Sequence, residues 1–165
     1  MSQLQTLYTG RAGQAFVMAE FAIRGYNVAV PEIDRGDDLF VVHDTSGAFW
    51  RVQVKTANAK VLAKGGFRAQ FRVRLSQLQT PYTPDLTYVF ATRVAGRWAD
   101  CVVIPRDKLY ALHSVDGVGT LAGGYVVLGL SYRAAVGQAG ASLESGTTDL
   151  SPLLGDFSWW PAIAH

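Results

Sequence analysis

Asp38, Gln53 and Lys55 make up a set with which a protein could hydrolyse a phosphodiester. That reaction needs an activated water, neutralised charge at phosphorus and a stabilised leaving oxygen. A hard divalent cation on carboxylates supplies most of this, and a lysine can orient the water or stabilise charge. Asp38 opens one apolar run, Leu39-Phe40-Val41-Val42, and Gln53 and Lys55 lie two apart in the next, Arg51-Val52-Gln53-Val54-Lys55-Thr56. Residues two apart on a strand share a face, so Gln53 and Lys55 project into one space, and tight pairing of the two runs brings Asp38 close to them. Each residue also has a plainer reading. Asp37-Asp38 after Gly36 suits a turn, and Gln53 and Lys55 suit ordinary polar strand positions.

The elements that must position these residues follow from local pattern. Residues 10–24 read as a helix capped by Thr9, with Ala12, Ala15, Phe16, Ala19 and Ile23 as its apolar stripe and Gly25 as its stop. Residues 28–30 form an extended segment ended by Pro31. Residues 38–43 and 49–56 read as strands around the turn Asp44-Thr45-Ser46-Gly47. After a hairpin turn at Lys64-Gly65-Gly66, residues 67–74 alternate: Phe67, Ala69, Phe71 and Val73 face one way, Arg68, Gln70, Arg72 and Arg74 the other. The arginine row fits a solvated, aggregation-resistant sheet face as well as it fits a surface that meets phosphate. Residues 86–92 and 98–104 predict an antiparallel pair, Pro105 opens a short helix to Leu112, and residues 125–132 read as a late strand. The order predicts an α/β fold with a mixed, mostly antiparallel central sheet and the first helix packed on one face.

Together, Gly10-Arg11-Ala12-Gly13-Gln14, the helix end Arg24-Gly25-Tyr26, Pro31, Gly36-Asp37-Asp38-Leu39-Phe40-Val41-Val42 and Gln53-Val54-Lys55 resemble the PD-(D/E)xK nuclease superfamily. The likeness leans toward Holliday-junction resolvases and homing endonucleases that use Gln-x-Lys. It covers residues 10–56 and implies a restriction-endonuclease-like core that cuts DNA with Mg²⁺ or Mn²⁺. Carried over by position, Asp38 becomes the metal-binding acid, Gln53 and the Val54 carbonyl further ligands, and Lys55 the catalytic lysine. Gln14 stands where the family often has a helix glutamate, and Gln53 where many members have Glu or Asp. Glu20 lies about 120° from Gln14 around the helix and four residues before Arg24, which favours a surface ion pair over a metal role. Asp34 and Asp37 are nearby, but alternation turns Asp37 away from Asp38. With so few carboxylates, metal should bind weakly until substrate phosphate completes its shell.

Bulk properties bound the rest. The chain of 165 residues suits one domain, with 49% hydrophobic and 12% aromatic residues. Its net charge is only +2, but residues 1–80 hold ten Lys/Arg against six Asp/Glu and residues 81–165 five against seven. The basic excess thus falls in the half with the Asp38 constellation. Cys101, the single cysteine, sits in an apolar run and reads as a buried hydrophobe. His43, His113 and His165 have no metal spacing. No signal pattern, membrane span or nucleotide-binding glycine loop is evident, which points to a cytoplasmic protein without a nucleotide cofactor. Residues 1–136 read as the nuclease-like domain and 137–165 as a Gly/Ser-rich tail. Its Phe157, Trp159 and Trp160 should dock on the body or across a homodimer. Three functions compete: a metal-dependent endonuclease with DNA as partner, a nucleic-acid-binding member impaired in catalysis, and a protein-interaction domain that keeps the scaffold.

Overall fold

The computed structural model of the chain describes residues 3–33, 36–133 and 142–161. Its elements are α1 (Gln3–Ile23), β1 (Asn27–Ala29), β2 (Leu39–Val42), β3 (Phe49–Asn58), β4 (Lys60–Val61), β5 (Phe67–Arg74), α2 (Leu75–Gln79), β6 (Leu86–Val94), β7 (Arg97–Trp98), β8 (Val102–Pro105), α3 (Arg106–Ser114), β9 (Thr120–Ala122), β10 (Tyr125–Tyr132), β11 (Leu143–Ser145), β12 (Thr148–Asp149) and a 3-10 turn (Ser151–Leu153). The fold is mixed α/β. A central sheet runs β1-β2-β3-β6-β7, with β8 also on β6, and a second sheet runs β12-β11-β10-β5-β4, with β9 on β10. In the central sheet β3 and β6 are parallel and the other pairs antiparallel.

Three layers result. One face of the central sheet takes α1, where Val17 and Phe21 pack with Leu39, Val41, Val52, Val54, Val89 and Val103. The other face takes the second sheet, where Phe71 meets Phe90 edge-on at 5.0 Å and Tyr88 joins Val126 and Leu128 in the core. The alternation of β5 is the reason it can do this: every second residue from Phe67 to Val73 is buried and every intervening one exposed.

Helix α1 departs from expectation in two ways. It begins at Gln3, not after Thr9. Gln and Leu are good helix formers, and one glycine costs a helix only about 1 kcal/mol, too little for Gly10 to stop it. Its buried side is Gly13, Gln14, Val17 and Phe21, while Ala12, Ala15, Ala19 and Ile23 face solvent. The small, polar pair Gly13-Gln14 leaves no apolar stripe for sequence periodicity to find. What seats the helix is contact at Gly13, where a Cβ would come within 2.0 Å of Thr56 Oγ1 on β3.

Residues 137–141 and 162–165 of the expected tail, including His165, lie outside the described residues. The described part is not loose chain. Strand β11 pairs with β10, Leu143, Leu150 and Leu153 enter the core between the sheets, and Trp160 enters the core under α1, edge-on to Phe21 at 4.8 Å. Phe157 is partly buried against the same core, whereas Trp159 keeps 38% exposure beneath Lys108. Among the described residues no helix is long and apolar enough to cross a membrane.

Candidate active site

The site lies where β2 and β3 part. The β2–β3 ladder runs from Val42↔Phe49 to Leu39↔Val52, while β3 continues beside β6 to Asn58. Just past the last pair, the Asp38 N–H still donates to the Val52 carbonyl at 2.8 Å. The Asp38 carboxylate then takes over the ladder, accepting from the Val54 N–H at 2.8 Å. The same oxygen also accepts a short bond from the Gln53 amide. Asp38 therefore caps the strand opening as well as facing the cleft, and a hydrogen-bonded carboxylate in this position is held rigidly.

Gln53 and Lys55 share the β3 face that looks toward the second sheet, as their spacing requires. Gln53 is 6% exposed, and its amide oxygen accepts from Gln77 of α2 at 3.2 Å. Gln77 reaches this point because Gly36, at φ +97°, has no Cβ to block it; the same amide donates to the Gly36 carbonyl at 2.6 Å. On the α1 side, Gln14 donates to the Asp38 backbone carbonyl at 2.8 Å and accepts from Arg11 Nη1 at 2.7 Å. Asp38, Gln53, Lys55 and Gln14, with the Val54 backbone, thus border one open cleft of about 1790 Å³.

The opposite wall of the cleft is β5. Strand β4 pairs only with Phe67 and Arg68, so the rest of the β5 edge opens on the site. Arg68, Arg72 and Arg74 line the wall, with Arg72 and Arg74 over the Tyr125 ring at 4.5 and 5.7 Å. The cleft carries six cationic side chains against three carboxylates, Glu32, Asp37 and Asp38. Asp37, 3% exposed, is bound to Arg51 at 2.7 Å, and Arg51 in turn sits over Tyr82 at 4.7 Å. Glu20 forms the ion pair with Arg24 at 2.8 Å that its spacing anticipates. Asp34 lies outside the described residues. Arg11, Gln77, Tyr82 and Tyr125 are site residues that sequence pattern did not single out.

The remaining candidates stand apart. Cys101 is buried, and burial pushes its thiol well above the ordinary range. His43 bonds Ser46 at 2.6 Å and His113 bonds the Val118 carbonyl at 2.9 Å. No group of three or more His, Cys, Asp or Glu side chains converges among the described residues. Both amides near Asp38 present nitrogen to it and oxygen to a protein donor. The two ends of an amide are close in size, so turning over the Gln53 amide would place its oxygen beside Asp38, at the cost of its bonds to Asp38 and from Gln77. One carboxylate with neutral carbonyl oxygens is an all-oxygen donor set, the kind a hard cation takes, but short of a full coordination shell.

No family model and no curated protein matches the chain. Among solved structures, the bacterial homing endonuclease I-Ssp6803I is similar at 17% identity and a TM-score of 0.49, over 92% of this chain and 86% of that one.

Proposed function

We propose that the chain is a metal-dependent endonuclease of the PD-(D/E)xK type that hydrolyses DNA phosphodiesters. The observation that carries this reading is the convergence of Asp38, Gln53 and Lys55 at the β2–β3 opening, in a cleft whose facing wall bears Arg68, Arg72 and Arg74. Asp38, the Val54 carbonyl and a turned-over Gln53 amide would hold Mg²⁺ or Mn²⁺, which when bound supplies Lewis-acid neutralisation of phosphate charge. Lys55 orients the attacking water or stabilises charge at phosphorus. Gln14 acts by position: it fixes the Asp38 backbone to α1 through its 2.8 Å bond. The arginines take backbone phosphates and set the register of the DNA.

One observation favours a second reading, a DNA-binding member with reduced catalysis. One Asp38 oxygen already accepts two N–H donors, and the Gln14 and Gln53 oxygens are engaged by Arg11 and Gln77. Incubation with supercoiled, linear and single-stranded DNA in Mg²⁺ or Mn²⁺ separates the two. Cleavage by the wild type, lost in Lys55→Ala, supports the nuclease. Tight binding without cleavage of any form in either metal selects the reduced member.

A further inference from the structure

Gln77 of α2 holds Gln53 from the side opposite Asp38. Its amide nitrogen donates to the Gly36 carbonyl at 2.6 Å and to the Gln53 amide oxygen at 3.2 Å. The Gln53 nitrogen in turn donates to the Asp38 carboxylate by a short bond and to the Val54 carbonyl at 3.4 Å. The two ends of this chain, a carbonyl and a carboxylate, are acceptors only. Gln77 must therefore present nitrogen to Gly36, and the same nitrogen can only donate to Gln53. Gln53 is left with its oxygen toward Gln77 and its nitrogen toward Asp38.

The Gln53 nitrogen thus lies against two of the oxygens proposed to hold a cation, those of Asp38 and Val54, with its hydrogens aimed at them. The third, its own, is turned away to Gln77. Turning the Gln53 amide over would release the first two and add the third. It would also set the Gln53 NH₂ against the Gln77 NH₂, two donors face to face. Turning Gln77 as well would set its oxygen against the Gly36 carbonyl. The backbone of α2 is tied in place, because Leu78 is fully buried and its carbonyl accepts from Arg106 of α3.

We infer that Gln77 is a positioning residue that latches Gln53 in the orientation that keeps a divalent cation out, so that its contact sets the cation affinity of the site. The inference rests on the metal reading above and adds to it a residue that opposes loading.

The test follows isotope-labelled protein by NMR through a Mg²⁺ titration without DNA, so that cleavage does not enter. The Val54 backbone amide, bonded to the Asp38 carboxylate at 2.8 Å, reports a cation beside Asp38. The side-chain amides of Gln53 and Gln77 report their own turning. In the wild type all three should shift along one binding curve. Gln77→Met keeps the length of the side chain but offers no N–H to Gln53 or Gly36. Once a thermal melt shows it folded, it should bind Mg²⁺ roughly threefold to tenfold more tightly, the size of one net hydrogen bond. A residue that merely supports the site would act with the opposite sign, so weaker or equal binding by Gln77→Met overturns the inference. A wild-type Val54 shift that leaves the Gln77 amide unmoved overturns it too, and that result stands even where the variant fails to fold. In both cases the metal site beside Asp38 survives. Mg²⁺ that moves none of the three amides in either protein would strike the metal site and the latch together.

Discussion

Replacing Gly13 by alanine should destabilise the protein, although alanine is the better helix former. The added Cβ would sit 2.0 Å from Thr56 Oγ1, 2.7 Å from Cγ2 and 2.8 Å from Cβ. Ordinary carbon contacts lie near 3.5–4.0 Å. Rotating Thr56 moves its hydroxyl and methyl but not its Cβ, so α1 must lift from β3. Overpacking of this kind costs about 1–3 kcal/mol, and helix propensity returns about 1 kcal/mol. Because rotation cannot relieve the clash, we expect a net loss of about 2 kcal/mol, or about 4–8 °C in Tm for a chain of this size. Gly10 provides the control. It lies in the same helix with nothing within 4 Å of its Cβ position, so Gly10→Ala should gain up to about 1 kcal/mol. Urea and thermal unfolding followed by circular dichroism read both. Thr56→Ala removes the two nearest atoms and should recover part of the Gly13→Ala loss in a double-mutant cycle. The reasoning fails if Gly13→Ala stabilises as Gly10→Ala does, or if its effect is independent of Thr56.

Three further outcomes follow from the packing and charge. Trp160→Ala should cost about 3 kcal/mol or more in urea unfolding, since Trp160 is 4% exposed against Phe21 and Phe157; an unchanged midpoint would mean the segment is not docked. For Asp85, burial alone would raise the carboxyl pKa, but bonds from Arg106 and the Leu86 N–H, with the Arg106 charge, hold it below the usual 3.8. A folded pKa below the unfolded one gives stability that is present above the unfolded value and lost as pH falls through the folded one. Asp85→Asn should therefore cost about 1 kcal/mol at pH 7, a small figure because Asp85 is 39% exposed, and the gap should close below pH 3.8; a gap constant with pH would contradict this. If Arg68, Arg72 and Arg74 each meet a phosphate, their triple alanine variant should flatten the slope of log affinity against log salt by about 2.7, and an unchanged slope would make the row a solvated face.

How much could be read beforehand depended on where each signal resides. Strand β5 was legible to the residue because both of its faces are defined: Phe67 to Val73 inward, Arg68 to Arg74 outward. The common face of Gln53 and Lys55 was legible for the same reason, and the adjacency of Asp38 followed from the short β2–β3 hairpin. The buried side of α1 was not, because a glycine that makes close contact and a glutamine that bonds a distant backbone look polar or neutral in a periodicity count. Gln77 lies 24 residues from Gln53 on a five-residue helix, and nothing local marks it. Asp37 turns to Arg51 through a contact that spans the ladder, although alternation had been enough to set it apart from Asp38. Strand β11 exists because β10 offers it an edge, and a Gly/Ser-rich composition conceals that partner.

The central claim is tested most directly by Asp38→Asn, with affinity and cleavage measured on the same DNA. Asparagine keeps an acceptor for the Val54 N–H, which Asp38 accepts at 2.8 Å, so the strand opening stays capped while the charge is removed and the second oxygen becomes an amide donor. The wild type should cut in Mg²⁺ or Mn²⁺. The variant should lose at least about a hundredfold in cleavage rate, while its DNA affinity is unchanged or slightly higher for want of one negative charge. A variant that cuts as fast as the wild type, or a wild type that binds DNA and cuts none in either metal, would contradict the account.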